Sequence, residues 1–424
     1  MKISRKSFLG FALGAGLAAT WYKISGHDSI WSDNRINGQS FGARILAVGG
    51  QGHLFDKDKK GSVVSEVDLK SGWVRQKWIP LLSPHAPSYL PNNDILALSA
   101  HSFETLILDS ELNVKESLKT PKGFFFGGHS LILEDYGWLA IAIKKSVSDS
   151  LERPGYIAFY DLKNYKFIKA IPAYSTFVHD MERIATDEIA ISQYGTLFFD
   201  FQSTDRPYID KNNVSFLMEP KQPTISYLNL KNLEYTQHRI IEQSHGLNHI
   251  ALGHDKNLYS VSVQAVKKDE NGLKYINDRY HDSEIVKATA GDHTLKDTYI
   301  VLPSPIQSIP YSINENVSEF LEKPSLQLRS QDLTSNISKD YVISTYPNSS
   351  SIGILTNGHK MTTYKTNNWG LESPRAVVNF GQSEFFALAD QNKSMAIINS
   401  KDMSLATSID ISCYRVIHMA YRSV

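Results

Sequence analysis

Short alternations of apolar and polar residues run along the chain from about residue 43 to its end, broken repeatedly by Asn, Asp, Gly and Pro. A period of two marks half-buried β-strands, and helical periodicity is nearly absent. One phrase keeps returning: an apolar run ending near Asp or Asn, a turn, then a second alternating run. It stands at Val64–Asp68, Thr105–Asp109, Tyr156–Asp161, Ile225–Asn229, Ser351–Asn357 and Met395–Asn399. Before each comes a short apolar strand and a turn leading into a strongly apolar strand. His85–Leu90 with Ile95–Ser99 is the first clear case. His129–Leu133 with Trp138–Ile143, His179–Ile184 with Glu188–Ser192, His249–Leu252 with Leu258–Val263, and Arg375–Phe380 with Phe385–Asp390 repeat it. Four strands in roughly forty to fifty residues is the spacing of a propeller blade.

Counting these units predicts an all-β fold, a seven-bladed β-propeller spanning residues 43–424. The first unit is incomplete, with Arg44–Val48, Ser62–Asp68 and Trp73–Ile79 supplying three strands. At the other end Tyr414–Tyr421 is a strand without a unit. Pairing the C-terminal strand with the N-terminal blade would remove both sheet edges, whereas an open solenoid would want polar caps. Insertions are expected at about 195–222, 265–283 and 303–328, the last with one or two helical turns over Asn314–Leu321. Aromatics in and beside the first insertion, Tyr194 and Phe198 among them, read either as a lid over the channel mouth or as packing of the loop itself.

Composition narrows the choices. Lys plus Arg and Asp plus Glu stand at 44 each, so no long-range field draws in nucleic acid, and none is expected as a partner. Cys413 is the single cysteine, which excludes an intrachain disulfide and a thiolate metal cluster and reads as a small buried apolar side chain. Residues 1–26 read as an export signal or N-terminal anchor: Ser4-Arg5-Lys6-Ser7-Phe8-Leu9 precedes the apolar run Gly10–Thr20. It resembles a bacterial twin-arginine signal with Lys6 in place of the second arginine, which implies a periplasmic protein. Membrane association is expected only if this segment is retained.

No hydrolase, P-loop, zincin or C-x-x-C motif is present, so no catalytic residue is assigned. The chemical signal is positional. His85, His129, His179 and His249 each open the innermost strand of four consecutive units. In a propeller those positions surround one mouth of the central channel, where converging neutral imidazoles make a transition-metal site suited to iron, copper, zinc or nickel. The bland alternative is histidines bonded to backbone carbonyls and water in a wet channel. Arg375 and Arg415 take equivalent places in the last units, where they would complement an anionic ligand such as a metal chelate. Asp180 and Glu182, beside His179, read as ligands, as acid/base groups or as strand-end salt-bridge partners.

Several of these segments resemble one family, the twin-arginine-exported bacterial proteins called domain of unknown function 1513. Phe125-Phe126-Gly127-Gly128-His129-Ser130 is similar to its Phe-Tyr-Gly-His-Gly-like strand start, and Phe177-Val178-His179-Asp180 to its Gly-Pro-His-Glu-like element. Gln222-Pro223-Thr224-Ile225-Ser226-Tyr227-Leu228-Asn229 and Leu247-Asn248-His249-Ile250 follow in the family's order. The chain departs from the pattern at Ser130 and at Pro84-His85-Ala86. The resemblance runs from about residue 43 to the C-terminus. It implies a divergent member with a quinoprotein- or YVTN-like propeller, located in the periplasm and connected with iron or copper handling. Three roles remain open: a binding or scaffold protein for a metal or metal chelate, a propeller hydrolase or oxidoreductase, and a platform for a periplasmic partner protein.

Overall fold

The computed structural model describes residues 32–33, 42–50, 61–100, 102–145, 154–176, 178–193, 198–200, 215–217, 224–240, 246–254, 257–263, 266–269, 272–275, 285–289, 332–336, 341–347, 350–356, 360–381 and 383–423. The export segment, apart from Ser32–Asp33 beyond it, and the expected helical turns at 314–321 lie outside these residues. So does most of each expected insertion; short hairpins at Phe198–Asp200 with Ser215–Leu217 and at Val266–Asp269 with Gly272–Tyr275 fall within the first two.

Among the described residues the chain is all-β, in successive antiparallel sheets. Pro84–Tyr89, Ile95–Ser99, Glu104–Leu108 and Val114–Lys119 form one sheet of four strands. Phe124–Leu133 leads the next, Val178–Ala185 the third, and Leu333–Asn336 a further four-stranded sheet. Gly246–Leu252 leads a sheet in which three strands are described. Pro374–Asn379 leads the last full set, ending in Leu405–Tyr414. Within the described residues no helix is long and apolar enough to cross a membrane.

The two chain ends meet. Ala43–Gly50 pairs on one side with Ser62–Asp68 and on the other with Met419–Ser423, in the register Ala47↔Met419 to Ala43↔Ser423. The C-terminal strand thus begins later than the sequence pattern suggests. Tyr414 closes the preceding strand, and the left-handed residue Arg415 (φ 53°) turns the chain between the two.

Alternation explains why these sheets stack. Each buries one face against the sheet before it and the other against the sheet after. Leu96, Leu98 and Ile107 of the first sheet pack on Phe126, Leu139 and Ile141 of the second. Ala140, Ile157 and Phe159, on the second sheet's other face, pack on Ile189, Ile191 and Leu228 of the third. The series continues to the last sheet, where Val378, Ala387 and Ile397 meet Ile45, Val63 and Val67 of the N-terminal strands. Those strands in turn place Leu46, Val64 and Ile79 against Ile95 and Ala97 of the first sheet. Full burial of one such side chain stabilises by roughly 1.5–3 kcal/mol, so each sheet depends on both neighbours. The leading strands follow the same order: each lies beside the next, and Met419–Ser423 lies beside Pro84–Tyr89. This brings one end of every leading strand into a common neighbourhood.

Candidate metal centre

The four histidines singled out in the sequence share a local device. Regular pairing between a leading strand and its neighbour breaks at Pro84/Pro87, at Val178/Asp180 and at Leu247/Ile250, and between Phe126 and Ser130. His85, His179, His249 and His129 fall inside these four breaks. Arg375 falls inside a fifth, between Pro374 and Ala376. A bulge re-aims the side chain it carries and frees it from the strict alternation of the strand. The repeated break therefore sends a polar ring out of sheets whose faces are otherwise committed to apolar packing. Gly128 makes room for this: its φ is +106°, and a Cβ there would lie 2.5 Å from His85 Cδ2.

The structure brings all four rings together and adds a fifth. His418 stands immediately before the C-terminal strand Met419–Ser423. Its ring centroid lies 4.9 Å from that of His85, 4.7 Å from His129 and 4.5 Å from His249. His129 is 4.8 Å from His85, 4.6 Å from His179 and 4.9 Å from His249, and His179 is 4.6 Å from His249. Two ring nitrogens come closer still: His85 Nε2 is 3.1 Å from His129 Nε2, and His179 Nε2 is 3.4 Å from His249 Nε2. His129, His179, His249 and His418 are buried, and His85 is half-buried.

Two carboxylates hold the rings from behind. Asp180 Oδ1 is 3.3 Å from His129 Nδ1, and Asp180 Oδ2 is 3.6 Å from His249 Nδ1. Asp332 Oδ1 is 3.0 Å from His418 Nδ1. The aspartates also do the same backbone work. Asp180 accepts the N–H of Met181 in its own strand and of Ile250 in the next leading strand. Asp332 accepts the N–H of Leu333 and, across to the next leading strand, of Val377. Each carboxylate therefore ties two sheets together while orienting imidazoles.

Burial favours the neutral form of His129, His179 and His249. Burial pushes His129 down to about 4, against a partial upward pull from Asp180. Burial and the neighbouring His249 and His129 hold His179 well below its ordinary value, and burial with His418 lowers His249. Burial works against the ionised form of Asp180, but His129 and His249 overcome it and hold the carboxyl well below the usual range. Glu182 behaves oppositely: burial, reinforced by the charge of Asp180, pushes it up to about 8. A neutral imidazole whose Nδ1–H faces a carboxylate presents a lone pair on Nε2. That is the tautomer and orientation that carboxylates impose on histidine ligands of metals.

The separations suit metal coordination. Metal–imidazole bonds of about 2.0–2.1 Å imply nitrogen–nitrogen edges of about 3.3 Å in a tetrahedron and about 2.9 Å in an octahedron. The observed 3.1 and 3.4 Å fall in and beside that interval. Three triads each offer donors within 4.8 Å of one another: His85–His129–His418, His129–His179–His249 and His249–Asp332–His418. His418 Nε2 is buried with no hydrogen-bond partner among the described residues. An orphaned buried acceptor is costly unless something fills it.

Arg375 is half-buried, and its carbonyl accepts the Thr345 hydroxyl. Arg415 is exposed, and its backbone N–H reaches Gln391. Cys413 is buried against Ser65 and the Val63 carbonyl, and burial pushes its thiol up to about 12, so it brings no thiolate to the histidines.

His418 and Asp332 did not stand out in the sequence. Their signal was register: His249, His179 and Arg375 each precede by one residue the point where regular pairing resumes. Residue 418 holds that place before Met419. No protein-family model matches the chain, and no curated protein matches it.

Proposed function

We propose that this chain is an exported, periplasmic β-propeller of seven blades whose central channel binds a transition metal through His85, His129, His179, His249 and His418. Five imidazoles from five leading strands, with the Nδ1 atoms of His129, His249 and His418 turned toward carboxylates, carry this reading. The propeller is supported by the order of sheet contacts, which returns from Met419–Ser423 to Pro84–Tyr89, and by the pairing of the two chain ends. Export rests on the Ser4–Leu9 segment and the apolar run after it.

A wet channel would not need this arrangement. The 3.1 Å contact alone would also suit one ring donating to the other; what a wet channel does not need is a carboxylate behind three of the rings, turning their Nε2 lone pairs inward. The donor set also selects the ion. Imidazoles without thiolates suit copper, zinc, nickel and iron, and intrinsic affinity for divalent ions peaks at copper. Copper is therefore the ion these donors hold most tightly, and the family resemblance of the sequence is what connects the centre with copper or iron handling. Arg375, half-buried at a leading-strand break, offers a cation to an anionic co-ligand.

Metal content of the purified protein tests the reading. After metal-free preparation and reloading with copper(II), the protein should retain metal through desalting against glycine. The His129→Ala/His249→Ala variant should lose nearly all of it while keeping its β-sheet circular dichroism. Equal and negligible metal in both would reject the proposal.

A further inference from the structure

Resting on the reading that the imidazoles hold metal, we propose that the centre takes two ions: one between His85, His129 and His418, the other between His179 and His249. The five rings do not form one equivalent set. Their closest nitrogen contacts divide them into two pairs, His85 with His129 at 3.1 Å and His179 with His249 at 3.4 Å. Each separation spans one edge of a coordination polyhedron. The donors likewise fall into triads that share corners and do not merge into one larger group.

A neutral imidazole with Nδ1–H toward a carboxylate has one lone pair to give, so His129 serves one ion at a time. Its shorter contact assigns it to His85. His418, within 4.9 Å of both rings by centroid, completes that set and accounts for its buried, partnerless Nε2. His179 and His249 remain, beside the first set and not apart from it, since His129 is 4.6 Å and 4.9 Å from their centroids. Among the described residues the first ion then has three nitrogens and the second two.

This inequality has a chemical consequence. With two nitrogens from the described residues, the second ion leaves coordination positions open to ligands beyond the histidines. The first position is the retaining one; the second is where ions or further ligands exchange. Two cations side by side and clamped by carboxylate-backed imidazoles form the general arrangement of two-metal sites.

Copper(II) titration of metal-free protein at neutral pH, followed through the titration by electron paramagnetic resonance and by elemental analysis after desalting into chelator-free buffer, tests the proposal. Two coppers per chain are expected, with a signal weaker than the copper content because neighbouring ions couple. The His179→Ala/His249→Ala variant should keep one copper and give a full-intensity signal. Saturation of the unaltered protein at one copper per chain overturns the two-ion arrangement and leaves metal binding standing. Retention of none removes metal binding itself. Loss of both ions in the folded variant, while the unaltered protein holds two, overturns the division into separate positions.

Discussion

The leading strands of residues 84–252, a first arc, and those of residues 333–423, a second, contribute to the same histidine cluster by different means. In the first arc every leading strand carries a histidine inside a register break, and the lone carboxylate Asp180 serves two of them, His129 and His249. In the second, the positions are Asp332, Arg375 and His418, and Asp332 holds one ring. The first arc supplies donors. The second supplies one donor and charge. On the proposed metal-binding reading, the first arc would supply most of the donors to the cation.

Acid should separate the arcs most strongly. His129 sits at about 4 in the folded chain against an ordinary value of 6.5, and His179 and His249 are lowered in the same direction. The unfolded chain thus binds more protons in this window, and metal-free protein loses stability as pH falls from 6.5 toward 4. The loss is on the order of 3 kcal/mol for His129 alone. Glu182, pushed up to about 8 from 4.5, has the opposite sign: its stabilisation is lost progressively as pH rises between those values, so it offsets part of the histidine gain. The three lowered histidines outweigh this one carboxyl, so the urea midpoint of metal-free protein should be higher at pH 7 than at pH 4.5, and a lower midpoint at pH 7 would contradict the burial of neutral rings.

The carboxylates offer a finer contrast. Removing a carboxylate behind a ligand costs roughly 10–100-fold in metal affinity. Asp180→Asn, which touches two histidines, should fall at the upper end of that range and Asp332→Asn at the lower, measured by competition with a chromophoric chelator. The reverse order would mean that the second arc dominates binding.

Arg415→Gln should have the smallest effect. The residue is exposed, and only its backbone N–H is tied to Gln391. A change within about 0.5 kcal/mol in stability is expected, with unchanged copper retention; a marked loss of copper would bring Arg415 into the site.

Much of this architecture was legible in the chain because strand alternation and turn residues are local signals. The strands around Val64, Ile107 and Ile397 appear where the apolar runs place them. The histidines at 85, 129, 179 and 249 were legible because each sits at the same place in a repeated phrase. His418 was not, since its strand has no unit of its own and is completed by Ala43–Gly50, far away in sequence. Asp332 was hidden for a related reason: its part in the site is defined by bonds to Val377 and His418 on other sheets. Nor did alternation reveal the register breaks. A bulge is recognised only against its partner strand, and the partner is a tertiary fact.

X-ray absorption of the copper-loaded protein tests the central claim most directly. The account predicts a first shell of nitrogen at about 2.0 Å together with the outer-shell multiple scattering of several imidazole rings. A shell of oxygen ligands without imidazole scattering would contradict it, because the metal would then be held elsewhere and the convergent rings would be only a buried hydrogen-bonding cluster.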